Sequence, residues 1–278
     1  PSIIFIMKNI LITGSTRGLG LNHVYYLANQ GFSIALVDLS DTACNVYGEV
    51  SSLKELLDSL NSSGSDNKFY KCDLTDFSAT EKIFKKIFKD FGEIHGCVFN
   101  AGGDVAGYSK KADGKKPKNN NLDISIKDNK IIMDRNYLTC FNSVKAVVPL
   151  LKKQKFGSIV TTSSMNANQG IDSEISYSIA KTAVAQLTRA TAVSLRDFNI
   201  NVNSIAPGGT LTGRFLATIK DRSKKDREKI FSKSDSRLLK PATLDDISGV
   251  VSFLLSPQAA YVSGQVIRID GGQSPFPI

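Results

Sequence analysis

The chain is short of the residues that build metal and disulfide sites. It has two histidines, His23 and His95, and four cysteines, Cys44, Cys72, Cys97 and Cys140. The cysteines lie far apart and form no C-x-x-C pair, so neither a disulfide framework nor a zinc site is indicated. Two histidines are too few for a metal cluster and read as surface or core residues, so no metal is expected. Apolar runs never approach the roughly 20 residues that a bilayer-spanning helix needs. The opening PSIIFIM lacks a basic flank and a cleavage site, and so does not read as a secretory signal. A first strand beginning at Met7, preceded by an extension over residues 1–6, is the expected start. There is no internal repeat of 20–50 residues, which removes solenoids and propellers. The simplest expectation is a soluble, cytoplasmic protein with no membrane partner.

What is present is ordinary globular material: 278 residues, 41% hydrophobic and 22% charged. Short runs rich in Ile and Val recur as NILIT (9–13), SIALV (33–37), NKFYK (67–71), GCVFN (96–100), GSIVTT (157–162), NINVNSI (199–205) and QVIRI (265–269). Helix-length segments separate them, notably 19–30, 78–92 and 176–195. Within 78–92, Ile83, Phe84, Ile87, Phe88 and Phe91 make one apolar helix face with lysines opposite. Strands alternating with helices predict an α/β, single-domain Rossmann fold: a doubly wound, seven-stranded parallel sheet with helices on both faces. One domain over 1–278 is expected, divided into a cofactor-binding half (7–102), a basic insertion (103–130) and a catalytic and substrate half (131–278).

The net charge of +9 is uneven. Residues 110–130 hold seven Lys against three Asp, and residues 214–240 hold ten Lys/Arg against four Asp/Glu. These two segments carry all of the excess, and the remainder is near neutral. The run GYSKKADGKKPKNNNLD (107–123) offers no aromatic besides Tyr108 and no recognition module, so nucleic acid is not an expected partner. A positive rim at a substrate mouth would instead attract anions.

Two stretches carry chemistry. In LITGSTRGLG, Gly14, Gly18 and Gly20 fall between the first strand and the first helix. Glycines there let backbone N–H groups approach a pyrophosphate at a helix N-terminus, where the dipole favours anions. Eighteen residues beyond Gly20, Asp38 ends the second strand. A carboxylate in that place can accept from both ribose hydroxyls of NAD and repels a 2′-phosphate. Arg17 inside the loop offers a phosphate contact that NADP could use; NAD is favoured over NADP. Tyr177 and Lys181, in Y-S-I-A-K, stand one helical turn apart on one face. A phenol with an ordinary pKa near 10 needs a nearby cation to act as an acid/base at neutral pH. Thirteen residues before Tyr177, a strand ends in Ser163–Ser164, on the sheet edge where ligands bind.

With these motifs in this order the sequence resembles the short-chain dehydrogenase/reductases, over nearly the whole chain from about Met7. The resemblance implies that Thr13–Gly20 is the family's T-G-x-x-x-G-x-G loop, so that Gly14, Ser15, Thr16, Arg17, Gly18, Leu19 and Gly20 would meet the cofactor together with Asp38. It implies the same for Asp73 and Leu74 near adenine, for Asn100, Ala101 and Gly102 as the N-A-G turn, and for Pro207, Gly208, Thr210 and Thr212 near the nicotinamide carboxamide. Asn136, Ser164, Tyr177 and Lys181 take the catalytic places. By the family's mechanism Tyr177 transfers the proton, Ser164 holds the oxygen, Lys181 lowers the tyrosine pKa and binds the ribose, and Asn136 positions a water. The implied activity is an NAD(P)-dependent alcohol dehydrogenase or ketoreductase acting on a small molecule, in a homo-oligomer (tetramer or dimer). A catalytically inactive dinucleotide-binding regulator is the alternative, and the complete residue set argues against it. A sugar-nucleotide epimerase would carry T-G-x-x-G-x-x-G and a larger C-terminal region, and this chain has neither. The chain departs from the family at Phe99, where a second asparagine is common, and in the long interval from Asn100 to Asn136. Substrate identity is expected to lie in that interval and in residues 213–240.

Overall fold

The computed structural model of the protein describes residues 9–62, 64–103, 121–172, 174–219, 224–231 and 235–274. Most of the basic insertion, 104–120 with Tyr108, lies outside the described residues, as do residues 1–8 and with them the expected strand start at Met7.

Seven strands, β1 (Asn9–Thr13), β2 (Ser33–Asp38), β3 (Lys68–Lys71), β4 (Gly96–Phe99), β5 (Gly157–Thr162), β6 (Ile200–Pro207) and β7 (Val266–Ile269), form one parallel sheet in the order 3-2-1-4-5-6-7. Each run named from the sequence is a strand, with ends shifted by no more than two residues. The helices are α1 (Gly18–Ala28), α2 (Leu53–Asn61), α3 (Phe77–Phe91), α4 (Ile126–Met133), α5 (Thr139–Gln154), α6 (Ile175–Leu195), α7 (Gly213–Ile219), α8 (Lys224–Ile230) and α9 (Leu244–Leu255).

Strand alternation divides the core in two. In β1 the side chains of Ile10 and Ile12 turn to one face and Leu11 to the other; in β4 Val98 opposes Cys97 and Phe99. On the first face α1, α2 and α9 contribute Val24, Leu27, Leu56, Leu60, Ile247 and Val251. On the second face α3, α5 and α6 contribute Phe84, Ile87, Val147, Leu151 and Val184. The inner strands are covered on both sides, which is why runs such as NILIT and SIALV read as near-continuous apolar stretches. The apolar face expected on α3 packs inward, with Phe84 and Ile87 fully buried and Ile83, Phe88 and Phe91 partly so. Phe84 stacks on Phe99 with ring centroids 6.2 Å apart. Phe99, the family's departure, therefore serves the core.

Chain order reverses at β1: successive units wind outward to β2 and β3, then return to β4 on the other side. A crevice opens there beyond the carboxyl ends of the strands, the place where doubly wound sheets bind ligands.

Phe84→Ala removes a fully buried ring and its stacking partner. A loss of about 3–5 kcal/mol is expected in urea unfolding, and a loss below about 1 kcal/mol would mean that the α3 face is not the core element described.

Candidate active site

Four helices are capped by side chains of their own N-cap residues. Ser52, Asp76, Ser125 and Thr243 each accept a backbone N–H of the following turn, at 3.1, 3.1, 3.0 and 3.3 Å. α1, like α5 and α6, is without one: its N-cap, Arg17, makes no side-chain cap and no acidic residue lies in its first turn. This positively polarised end faces the crevice, with the Glu49 carboxylate accepting from Gly18 N at its edge.

The glycines there are dictated by space. Gly14 has φ +62°, and a Cβ on it would come within 2.8 Å of Ala101 Cα. A Cβ on Gly20 would collide with Gly14 O and lie 2.7 Å from Asn100 Nδ2. Asn100 Nδ2 donates to Gly14 O at 3.2 Å, and Ala101 N donates to Thr13 Oγ1 at 3.2 Å. The N-A-G turn and the glycine loop are thus packed backbone to backbone, leaving a smooth floor for a flat or anionic ligand.

Asp38 ends β2 beside this floor. Its Oδ2 accepts from Thr16 N at 3.0 Å and Thr16 Oγ1 at 2.7 Å, and its Oδ1 accepts from Leu39 N at 2.8 Å. Ser15 Oγ donates to Val37 O at 3.2 Å. Ser15, Thr16 and Gly20 stand behind the cleft wall, and their work is to shape the loop and aim Asp38. Arg17 packs over the Tyr47 ring, 5.7 Å from its centroid.

At the other end, α6 carries Tyr177 and Lys181 into the cleft. Lys181 is 97% buried, at 3% exposure. Its Nζ donates to Thr162 O at 2.8 Å and lies 5.7 Å from the Tyr177 ring centroid. Burial, with a contribution from the Arg214 charge, pushes its pKa from the ordinary 10.5 down to about 8. The two serines divide their tasks. Ser163 Oγ donates to Lys181 O at 2.8 Å, fixing α6 to β5. Ser164 Oγ accepts from Asn166 N at 3.2 Å and lines the cleft, which leaves its proton for a substrate oxygen.

Asn136 lies in a π-helical turn, Asp134–Leu138, inserted between α4 and α5. Its Nδ2 donates to Ile132 O at 2.9 Å and Gly103 O at 3.1 Å, and its Oδ1 accepts from Gly103 N at 2.8 Å. The side chain clamps Gly103 and stands behind the lining. A Cβ on Gly102 would lie 2.9 Å from Asn136 Oδ1 and 3.3 Å from Lys181 Nζ, so both groups face one glycine.

All of this surrounds one cleft of about 680 Å³. Lining it are Gly14, Arg17, Gly18, Leu19, Asp38, Asp73, Leu74, Asn100, Ala101, Gly102, Ser164, Tyr177, Lys181, Pro207, Gly208, Thr210 and Thr212. Of the residues expected from sequence, only Ser15, Thr16, Gly20 and Asn136 do not line it. Asn142 on α5 holds the Asp73–Leu74 segment in place, donating to Leu74 O at 2.9 Å and Thr75 O at 3.1 Å.

A family model described as enoyl-(acyl carrier protein) reductase matches residues 14–274. A cyclohexanol dehydrogenase from Rhodococcus sp. (strain TK6) is 30% identical over 274 residues, covering 95% of both chains. The chain belongs to the short-chain dehydrogenase/reductase family. Among solved members, ElxO with NADP bound is similar with a TM-score of 0.80 at 25% identity, covering 98% of this chain and 100% of its own. A 7α-hydroxysteroid dehydrogenase complexed with NADH and 7-oxoglycochenodeoxycholic acid has a TM-score of 0.79 at 26% identity, covering 95% of this chain and 93% of its own. The protein is accordingly an oxidoreductase of alcohol or ketone substrates with a nicotinamide cofactor. Among the described residues no helix is long and apolar enough to cross a membrane.

Five charged residues at the site were not indicated by any sequence motif. Asp134, Arg135, Glu174 and Arg214 line the cleft. Glu49, from the loop after β2, bridges the two halves: its Oε2 accepts from Gly18 N at 2.8 Å and its Oε1 from Gly213 N at 3.2 Å. Arg214 lies in a segment marked by its charge, whereas Glu49 sits in no motif and its role exists only in three dimensions.

The pH dependence of Lys181 gives a direct check. Between pH 8 and 10.5 the folded chain has released this proton while the unfolded chain retains it. The unfolded state then binds more protons, so stability attributable to Lys181 rises with pH across that window and is flat below it. Lys181→Met lacks this rise: urea midpoints of the wild type should gain on those of the variant from pH 7.5 to pH 10. Parallel profiles would show that Lys181 is not buried as described.

Proposed function

We propose that this protein is an NAD-linked dehydrogenase/ketoreductase that moves hydride between nicotinamide and the carbinol or carbonyl carbon of a small secondary alcohol or ketone. The observation that carries the reading is the meeting of Ser164, Tyr177 and Lys181 in one cleft whose other end is the glycine-rich start of α1 beside Asp38.

The residues fit the cofactor. The floor at Gly14 and Gly20 admits no side chain, and the first turn of α1 offers backbone N–H groups to a pyrophosphate. Asp38 would take the adenosine ribose, and Thr16 holds the carboxylate that disfavours a 2′-phosphate. Asp73 and Leu74 would flank adenine. Asn100, Ala101, Gly102 and Lys181 would hold the nicotinamide ribose, and Pro207, Gly208, Thr210 and Thr212 the carboxamide. NAD, when bound, supplies the hydride acceptor.

The chain's own residues move the proton. In the oxidative direction the phenolate of Tyr177 takes the hydroxyl proton while Ser164 donates a hydrogen bond to the same oxygen, and in reduction both transfers run backwards. The ammonium of Lys181, one helical turn away, stabilises the phenolate in a region shielded from water. Asn136 keeps the π-turn open and Gly103 fixed, so that Lys181 faces Gly102 rather than a packed helix.

Two further points are proposed. The substrate is anionic (a hydroxy acid, sugar acid or 3-oxoacyl thioester), supported by the excess of Lys and Arg in the sequence of residues 214–240 and by Arg214, which lines the cleft. The protein assembles as a homo-oligomer, supported by exposed apolar side chains on α6 (Ile179, Val193) and near the start of β7 (Tyr261).

Tyr177→Phe should lower kcat about 10²–10⁴-fold with NADH affinity retained; undiminished turnover would end the proposal. Asp38→Ser should raise the ratio of kcat/KM for NADP over that for NAD, and an unmoved ratio would remove Asp38 as the selector.

A further inference from the structure

Arg214 stands in the first turn of α7, two residues beyond Thr212, and reaches across the cleft. Its guanidinium lies against Gly103: a Cβ there would collide with Nη1 and come within 2.8 Å of Cζ and 3.1 Å of Nη2. Gly103 is the residue clamped by the Asn136 carboxamide, and its neighbour Gly102 faces Lys181 Nζ. The guanidinium therefore sits at the end of the cleft that holds Ser164 and Tyr177, far along the chain path from Asp38.

A second cation beside Lys181 is unfavourable in a desolvated cleft, and its charge is felt at Lys181. Among the described residues, carboxylates stand near this end as well. Asp134 pairs with Lys130, Asn166 holds Glu174, and Glu49 accepts the N–H groups of Gly18 and Gly213. Arg135, which also lines the cleft, adds to the positive side. The guanidinium carries five N–H donors in a planar fork, a match for the two oxygens of a carboxylate over and above any contact within the chain.

We propose that Arg214 is a specificity residue: it holds the carboxylate of a small hydroxy or oxo acid next to the carbon that exchanges hydride. This rests on the oxidoreductase reading above and narrows its anionic substrates to those whose charge lies close to the reacting carbon, which favours short acids over thioesters of a carrier.

The test uses the full chain, its Arg214→Met and Arg214→Lys variants, and two probes, 3-hydroxybutyrate and the neutral cyclohexanol, each with NAD. The expected result is a wild-type preference for the acid that collapses about 100-fold in Arg214→Met and partly in Arg214→Lys, which keeps the charge and loses the fork. In parallel, quenching of bound NADH fluorescence should report the binding of butyrate, an acid with no carbonyl to reduce, to the wild-type complex and weaker binding to the Met variant. This arm reads recognition without turnover, so it separates a failure of this proposal from a failure of the catalytic one, which Tyr177→Phe addresses. An unchanged preference overturns the assignment, as does a wild-type NADH complex that binds no acid. A dissociation constant for NADH that rises in step with the loss for the acid also overturns it, because the guanidinium then serves the cofactor's phosphates.

Discussion

The ammonium of Lys181 is the constraint around which the cleft is organised. A buried charge is tolerated only where polar groups compensate it, and here Thr162 O accepts from Nζ while Ser163 Oγ ties the backbone of the same residue to β5. Moving α6 by a fraction of a turn would strand that charge among Cys140 and the α5 side chains. The position of Tyr177, one turn earlier on the same helix, follows from where the ammonium can be held. Burial has a second consequence: it brings the Lys181 pKa down to about 8, close enough to neutrality for the charge at the site to respond to its surroundings.

A different constraint, contact between backbones, governs the cofactor end. The glycine loop and the N-A-G turn lie so close that Cβ atoms at Gly14 or Gly20 cannot be placed. That contact joins β1 to β4 across the reversal of strand order, and so the crevice and its floor arise from one piece of packing. Polar side chains then finish what packing begins: Asn100 closes on Gly14 O, and Thr16 on Asp38.

The fold was legible in the sequence because its signals are local. Seven apolar runs gave seven strands, and the face of Ile83, Phe84, Ile87, Phe88 and Phe91 packs as its spacing requires. Residues in motifs were legible too, because motif spacing encodes helix and loop geometry; the choice of Ser164 over Ser163 agrees with a structure in which Ser163 is committed to Lys181 O. What could not be read are contacts made by unrelated segments. Nothing in the sequence around Glu49 says that it will accept from Gly18 and Gly213, 164 residues further on in the second case. Nor could spacing reveal that Asn136 grips Gly103 from within a π-turn, or that Ser15 and Thr16 stand behind the wall instead of lining it.

Glu49 shows why such contacts matter for function. One carboxylate accepts from the start of α1, at the cofactor loop, and from the start of α7, the helix that carries Arg214. Thr212, just before α7, also lies over Gly18: a Cβ there would be 3.8 Å from the threonine side chain. The glycine loop and α7 are thus fastened at the same point. The Glu49 carboxylate links the glycine loop to α7 through two hydrogen bonds, at 2.8 and 3.2 Å. On the proposed reading, with the dinucleotide at the glycine loop and the substrate beside α7, such a linkage favours ordered binding in which the dinucleotide precedes the substrate.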